Sequence, residues 1–136
     1  MNRALILIFG LVVVSGCAAP PERVPLMPLP DDGQPLPYAD MLQRTRSLAT
    51  SANEAFFVNK WTELEEAAKS MEKAARLLPK STEVPPPRKE RLETVSGDLL
   101  KEATRLREAA RDKDEQRTND ALQRITLKVR ELRPEN

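Results

Sequence analysis

Apolar residues recur along this chain in steps of three and four, and only a few short stretches interrupt the recurrence. Tyr38, Met41, Thr45, Leu48, Ala52 and Ala55 make a first stripe. Trp61, Leu64, Ala68, Met71, Ala75 and Leu78 make a second, widened by Ala67 and Ala74 and closed by Pro79. Leu92, Val95, Leu99, Ala103, Leu106 and Ala110, with Leu100 and Ala109 beside them, make a third. Thr118, Leu122, Ile125, Val129 and Leu132 make a fourth, ending at Pro134. This spacing gathers apolar side chains on one face of a helix with 3.6 residues per turn. The interruptions carry breaker chemistry. Phe56-Phe57-Val58 disrupts the alternation and Asn59 is the expected N-cap of the second helix. Residues 80–87 include Pro85, Pro86 and Pro87 and are expected to be non-helical inside. Arg111-Asp112-Lys113-Asp114 has no apolar residue and reads as a turn, with Asp112 or Asp114 as the cap of the fourth helix.

Four helices of about five turns, two short turns and one longer loop predict an all-α fold, an antiparallel up-down-up-down four-helix bundle over residues 38–136. The 3-4 stepping is also what shallow left-handed crossing requires. Alanines at 52, 55, 68, 75, 103 and 110 suit closely packed helices. Gly97, inside the third stripe, weakens its helix by about 1 kcal/mol relative to alanine and is expected to admit a close neighbour. The same heptads would also serve two hairpins pairing in a dimer, or one long coiled coil. Pro79 and Pro85–Pro87 break a continuous rod, while a homo-oligomer stays open.

The N-terminal part obeys a different rule. Asn2 and Arg3 precede an eleven-residue run, residues 4–14, that is apolar except for Gly10. The run is shorter than the roughly 20 apolar residues that span a bilayer and has the proportions of a signal-peptide core. Val14-Ser15-Gly16-Cys17 closes it and resembles the lipobox of bacterial lipoproteins. That resemblance implies cleavage after residue 16, diacylglycerylation of the Cys17 thiol and acylation of its new amine, by fatty acids such as palmitate. Two or three such chains, at about 0.8 kcal/mol per buried CH₂, make a stable membrane anchor. Ala18 is not aspartate, which in well-studied Gram-negative lipoproteins goes with outer-membrane sorting, so the expected place is the cell envelope, on the outer membrane facing the periplasm. Residues 18–37 carry seven prolines and read as an extended, disordered tether reaching up to about 60 Å at about 3.1 Å per residue. The organisation expected is therefore a signal peptide over 1–16, the lipidated cysteine and tether over 17–37, and the bundle over 38–136.

Composition limits the chemistry. The chain has 22 Lys and Arg against 21 Asp and Glu, a balance that excludes the basic excess nucleic acid demands. There is no histidine, which removes the usual general base near neutral pH and the commonest metal ligand. Cys17 is the only thiol, and the two glycines after it build no phosphate-cradling loop. A di-iron bundle needs Glu-x-x-His motifs and is excluded. Met41 and Met71 are the only haem ligands the helices offer, and they lie on the apolar stripes as gap fillers. Acidic residues alternate with basic ones, with Glu65–Lys69 and Glu72–Arg76 in the favourable i,i+4 order, so they read as a solvated face. No catalytic or metal site and no cofactor is expected, and the chain does not read as an enzyme.

A tryptophan opening the second helix, Leu77-Leu78-Pro79 closing it, a Pro-rich loop, and Ala109-Ala110 before a short Asp-rich turn together resemble the cytochrome c′-type four-helix bundles. In that family the haem-attachment motif lies near the end of the fourth helix. By position, Val129 and Leu132 stand where the family has its cysteines and Arg133 where it has the axial histidine. The resemblance, over residues 38–136, implies a bundle that kept its fold and lost its haem.

Phe56, Phe57 and Trp61, three of the chain's five aromatics, crowd the corner between the first two helices. Phe56 and Phe57 project about 100° apart, so both cannot face the core; the three read first as an aromatic cap plugging the bundle end, and an exposed one would instead mark a docking or lipid-contacting interaction surface. The function expected is a non-enzymatic, lipid-anchored, haem-free interaction or accessory module with an envelope protein partner. The alternative is a periplasmic sensor or carrier holding a small apolar ligand in a cavity near Val129, Leu132 and Trp61.

Overall fold

The computed structural model describes Leu29 and residues 34–133. It has four helices: α1 Tyr38–Phe57, α2 Trp61–Leu77, α3 Pro86–Asp112 and α4 Glu115–Glu131, with a 3₁₀ turn Leu78–Lys80 after α2. Each helix packs against its neighbours in sequence, and α4 returns against α1 to close the ring. This is the antiparallel four-helix bundle the stripes predict.

Every residue of the first and fourth stripes is buried, as is the third apart from half-buried Leu100, and so are Leu64, Ala68, Met71, Ala74, Ala75 and Leu78 of the second. Leu42, Ala49 and Ala121 widen the core beyond the stripes. Met41 and Met71 fill it as packing residues, and the alanines let the helices close on one another. Thr45 is fully buried and stays satisfied because its hydroxyl donates to the Met41 carbonyl at 2.7 Å.

Both tight turns use the same device. Asn59 does not cap α2, for Lys60 takes that position, and its side chain caps no backbone N–H. Asn59 instead adopts a left-handed conformation, φ 56°, that ends α1. Lys60 N–H donates to Ala55 C=O at 2.8 Å and Asn59 N–H to Phe56 C=O at 3.0 Å, a Schellman arrangement in which asparagine tolerates the positive φ. Lys113, φ 54°, repeats it at the end of α3, with Asp114 N–H donating to Ala109 C=O and Lys113 N–H to Ala110 C=O. Of the two candidate caps, Asp114 is the one used, accepting from Arg117 N–H at 2.9 Å.

Three further expectations need correction. Pro86 and Pro87 lie inside α3, in its first turn, where a missing N–H has no intrahelical partner to lose. Proline density had placed the helix start later. Glu72 pairs across the bundle with Arg107 of α3 at 3.0 Å, and not with Arg76. Gly97 admits no close neighbour, since a Cβ added there meets nothing within 4 Å.

Interhelical ion pairs set the register of α3 against α4. Asp98 meets Lys128 at 3.2 Å and Glu102 meets Arg124 at 3.6 Å, so four residues down one helix match four up the other. Arg117 continues the seam with Glu108 at 4.0 Å and Asp112 at 3.2 Å. Hydrogen bonding to Lys128 holds the Asp98 carboxyl below its ordinary range, and hydrogen bonds to Glu131 and Asp98 raise Lys128.

Candidate functional site

An up-down-up-down path places the start of α1 and the end of α4 at one end of the bundle, with the α1–α2 and α3–α4 turns at the other. The two ends differ in chemistry.

At the first end the polypeptide entering α1 is clasped to the bundle. Thr82 N–H donates to Leu36 C=O at 3.0 Å and Tyr38 N–H to Thr82 C=O at 2.8 Å, a single parallel bridge between Pro37 and Thr82. The Tyr38 hydroxyl donates to Leu132 C=O, and Arg88 donates to the carbonyls of Glu131, at 2.7 Å, and Arg133. These bonds occupy carbonyls that the end of α4 leaves without intrahelical partners. Burial pushes the Tyr38 phenol up from its ordinary value, against the pull of the Arg88 and Arg46 guanidinium groups. Leu29 and Leu36 pack on the core, and the Leu29 carbonyl accepts from Lys73 at 3.3 Å. The folded unit thus begins before residue 38, and the last part of the proline-rich segment belongs to it.

At the opposite end, Phe57 is 80% exposed and Val58 60% exposed. Phe56 is half-buried, its ring tilted against Phe57 at 6.2 Å and edge-on to Trp61 at 5.9 Å. The Schellman turn produces this division. It carries α1 through Phe57, so Phe56 continues the buried face while Phe57, turned about 100° onward, projects to solvent. Sequence spacing brought all three aromatics together correctly and left open which of them was exposed.

The three positions set against a haem motif by the resemblance have different surroundings. Val129 and Leu132 are buried core aliphatics and Arg133 is exposed. Trp61 opens α2 at the tip, whereas Leu132 sits at the clasp beside Tyr38. Trp61 is therefore separated from Val129 and Leu132 by about the length of α1, 20 residues or roughly 30 Å at 1.5 Å per residue. Residues so far apart do not meet around one common cavity. Among the described residues no group of three or more acidic, histidine or cysteine side chains is placed to hold a metal ion. No helix among them is long and apolar enough to cross a membrane. Cys17 lies outside the described residues.

The fold is that of an all-α four-helix bundle with a clasped end and an aromatic tip. No protein family, curated protein or solved structure matches the chain.

Proposed function

We propose that the chain is a non-enzymatic, lipid-anchored module of a bacterial cell envelope, a haem-free bundle that presents its far tip to a protein partner. The observation that carries this reading is the placement of Phe57 and Val58, the two most exposed large apolar residues described, at the end opposite the clasped N-terminal segment. An apolar tip held away from an anchor is positioned to meet something other than the surface the anchor sits in. The Val14-Ser15-Gly16-Cys17 sequence supports the anchor, and Ala18 supports residence on the outer membrane.

Fractionation of cells expressing the full chain tests the anchor. Cys17→Ala should move the protein from the membrane fraction to the soluble one, and persistence in the membrane would refute lipidation as the attachment. A photo-crosslinking amino acid at position 57 tests the tip. A discrete adduct with one envelope protein, lost when the crosslinker is moved to exposed Arg76 on α2, supports the module. Adducts of the same pattern from both positions would count against it.

A further inference from the structure

The seams of the bundle are not electrostatically alike. Across α2–α3, Glu72 meets Arg107, and across α3–α4 the cations Arg117, Arg124 and Lys128 all meet carboxylates. The α1–α4 seam, the most loosely packed of the four, has no such pair among the described residues. Arg46 lies eight residues after Tyr38, on the same side of α1, and Tyr38 faces α4 through its bond to Leu132. The Arg46 side chain is half-buried, and its Nε is shielded from solvent with no hydrogen-bond partner. Arg130 and Arg133 stand on the flank of α4 turned away from α3, exposed and with no carboxylate at ion-pair distance among the described residues. Helical projection sets Gln43, Thr50 and Asn53 of α1 and Asn119, Gln123 and Thr126 of α4 along the same strip. These six donate and accept hydrogen bonds, while Glu54 and Glu115 project onto the same strip near the tip, so the acid-free part runs from Arg46 towards the clasped end.

We propose that this strip is a docking site for a carboxylate-rich helical segment of a partner protein, with Arg46 as its anchor and Arg130 and Arg133 beside it. Arg46 keeps one shielded donor, its Nε, without an acceptor, and the planar fork of a guanidinium suits a carboxylate. From Asn119 to Arg133 the strip runs about 21 Å, four turns of helix at 1.5 Å per residue. A flat headgroup layer does not reach an Nε shielded from solvent, which favours a protruding side chain over a membrane surface. The chain's own N-terminal segment is not the occupant at Leu29, because that residue is held by Lys73 on α2, the other flank of α1. The proposal rests on the reading of the bundle as an interaction module and not on its anchoring.

The test titrates the full-length protein in detergent with a synthetic four-turn helix of alanine and glutamate, followed by calorimetry at low salt. One-to-one, saturable binding that weakens with added salt is expected. Arg46→Gln should weaken it about tenfold, the loss of one charge-assisted contact. Exposed Arg130→Gln should weaken it severalfold without affecting the fold, and Arg76→Gln on α2 should leave it unchanged. Circular dichroism on each variant separates lost binding from lost structure. The proposal is overturned if binding does not saturate, if Arg76→Gln weakens it as much as Arg46→Gln, or if the Arg46 and Arg130 variants bind like the parent. It is also overturned if the arginines govern binding to phosphatidylglycerol vesicles and not to the peptide. Cys17→Ala should leave the titration unaltered, so failure of the lipid anchor and failure of this site are read separately.

Discussion

Gly97 offers a direct check on the packing of the bundle. It lies well inside α3, a 27-residue helix, and a Cβ built on it meets nothing within 4 Å. Gly97→Ala therefore adds no clash and removes the backbone freedom that glycine gives the unfolded chain. Host–guest measurements put the gain at about 0.8–1.0 kcal/mol in a helix interior. For a domain of this size that corresponds to a rise in Tm of about 4–8 °C per kcal/mol. Urea and thermal unfolding monitored by far-UV circular dichroism would read it, with the urea midpoint rising and the slope unchanged. A fall in stability would refute the reasoning, since open space above Gly97 leaves no intramolecular source for one. If that fall came with loss of a dimer in sedimentation, a second copy of the chain would be occupying the space, and the glycine would be there for close approach after all.

Arg107→Ala leaves the nearly buried Glu72 carboxylate without its partner, and should destabilise the bundle by about 1–3 kcal/mol in urea unfolding. Adding Glu72→Gln should recover part of that loss. Tyr38→Phe removes the donor to Leu132 C=O and should cost about 0.5–1.5 kcal/mol near neutral pH. Burial raises the Tyr38 phenol above 10.0, so its contribution is present below pH 10 and is lost as pH rises through the higher folded value. The decline of stability above pH 10 should accordingly be shallower in Tyr38→Phe than in the parent. Val129→Phe overfills a buried site in the core and should destabilise by about 1–3 kcal/mol, whereas a gain in stability would reveal space the packing does not show.

The bundle was legible because its information is periodic. Stripes at 3-4 spacing mark core faces, and Asp114 and the prolines mark ends, so the count, order and burial of the helices come from local rules. What escaped was non-local or depended on position within a turn. Pro86 and Pro87 look like breakers in any window, and only the helix start shows that the first turn tolerates them. Asn59 has the chemistry of an N-cap and of a left-handed C-cap, and the choice between them is settled by where α1 stops. Glu72 has Arg76 four residues on, and the competing Arg107 is 35 positions away in sequence, a separation no helical period reports. Arg46 was silent for the same reason. On one helix it is an ordinary surface cation, and its lack of a counter-charge emerges only when α4 is laid beside it.

The two-ended arrangement is a consequence of an even number of helices. Four antiparallel passes return the C-terminus of α4 to the end where α1 begins, so an N-terminal segment enters beside the last carbonyls of the chain. Tyr38 and Arg88 exploit this, using groups at the starts of α1 and α3 to complete the end of α4. The turns at the opposite end carry no terminus and are free to vary without disturbing the clasp. With an anchor at Cys17, Phe57 would lie beyond the full reach of the free tether by the length of α1, about 30 Å for 20 residues. Shortening the tether by deleting residues 20–28 should then draw in both the tip and the arginine strip while leaving bundle stability and the peptide titration intact. A partner at fixed height above the membrane would lose contact with the tip, whereas a diffusible partner would be captured as before.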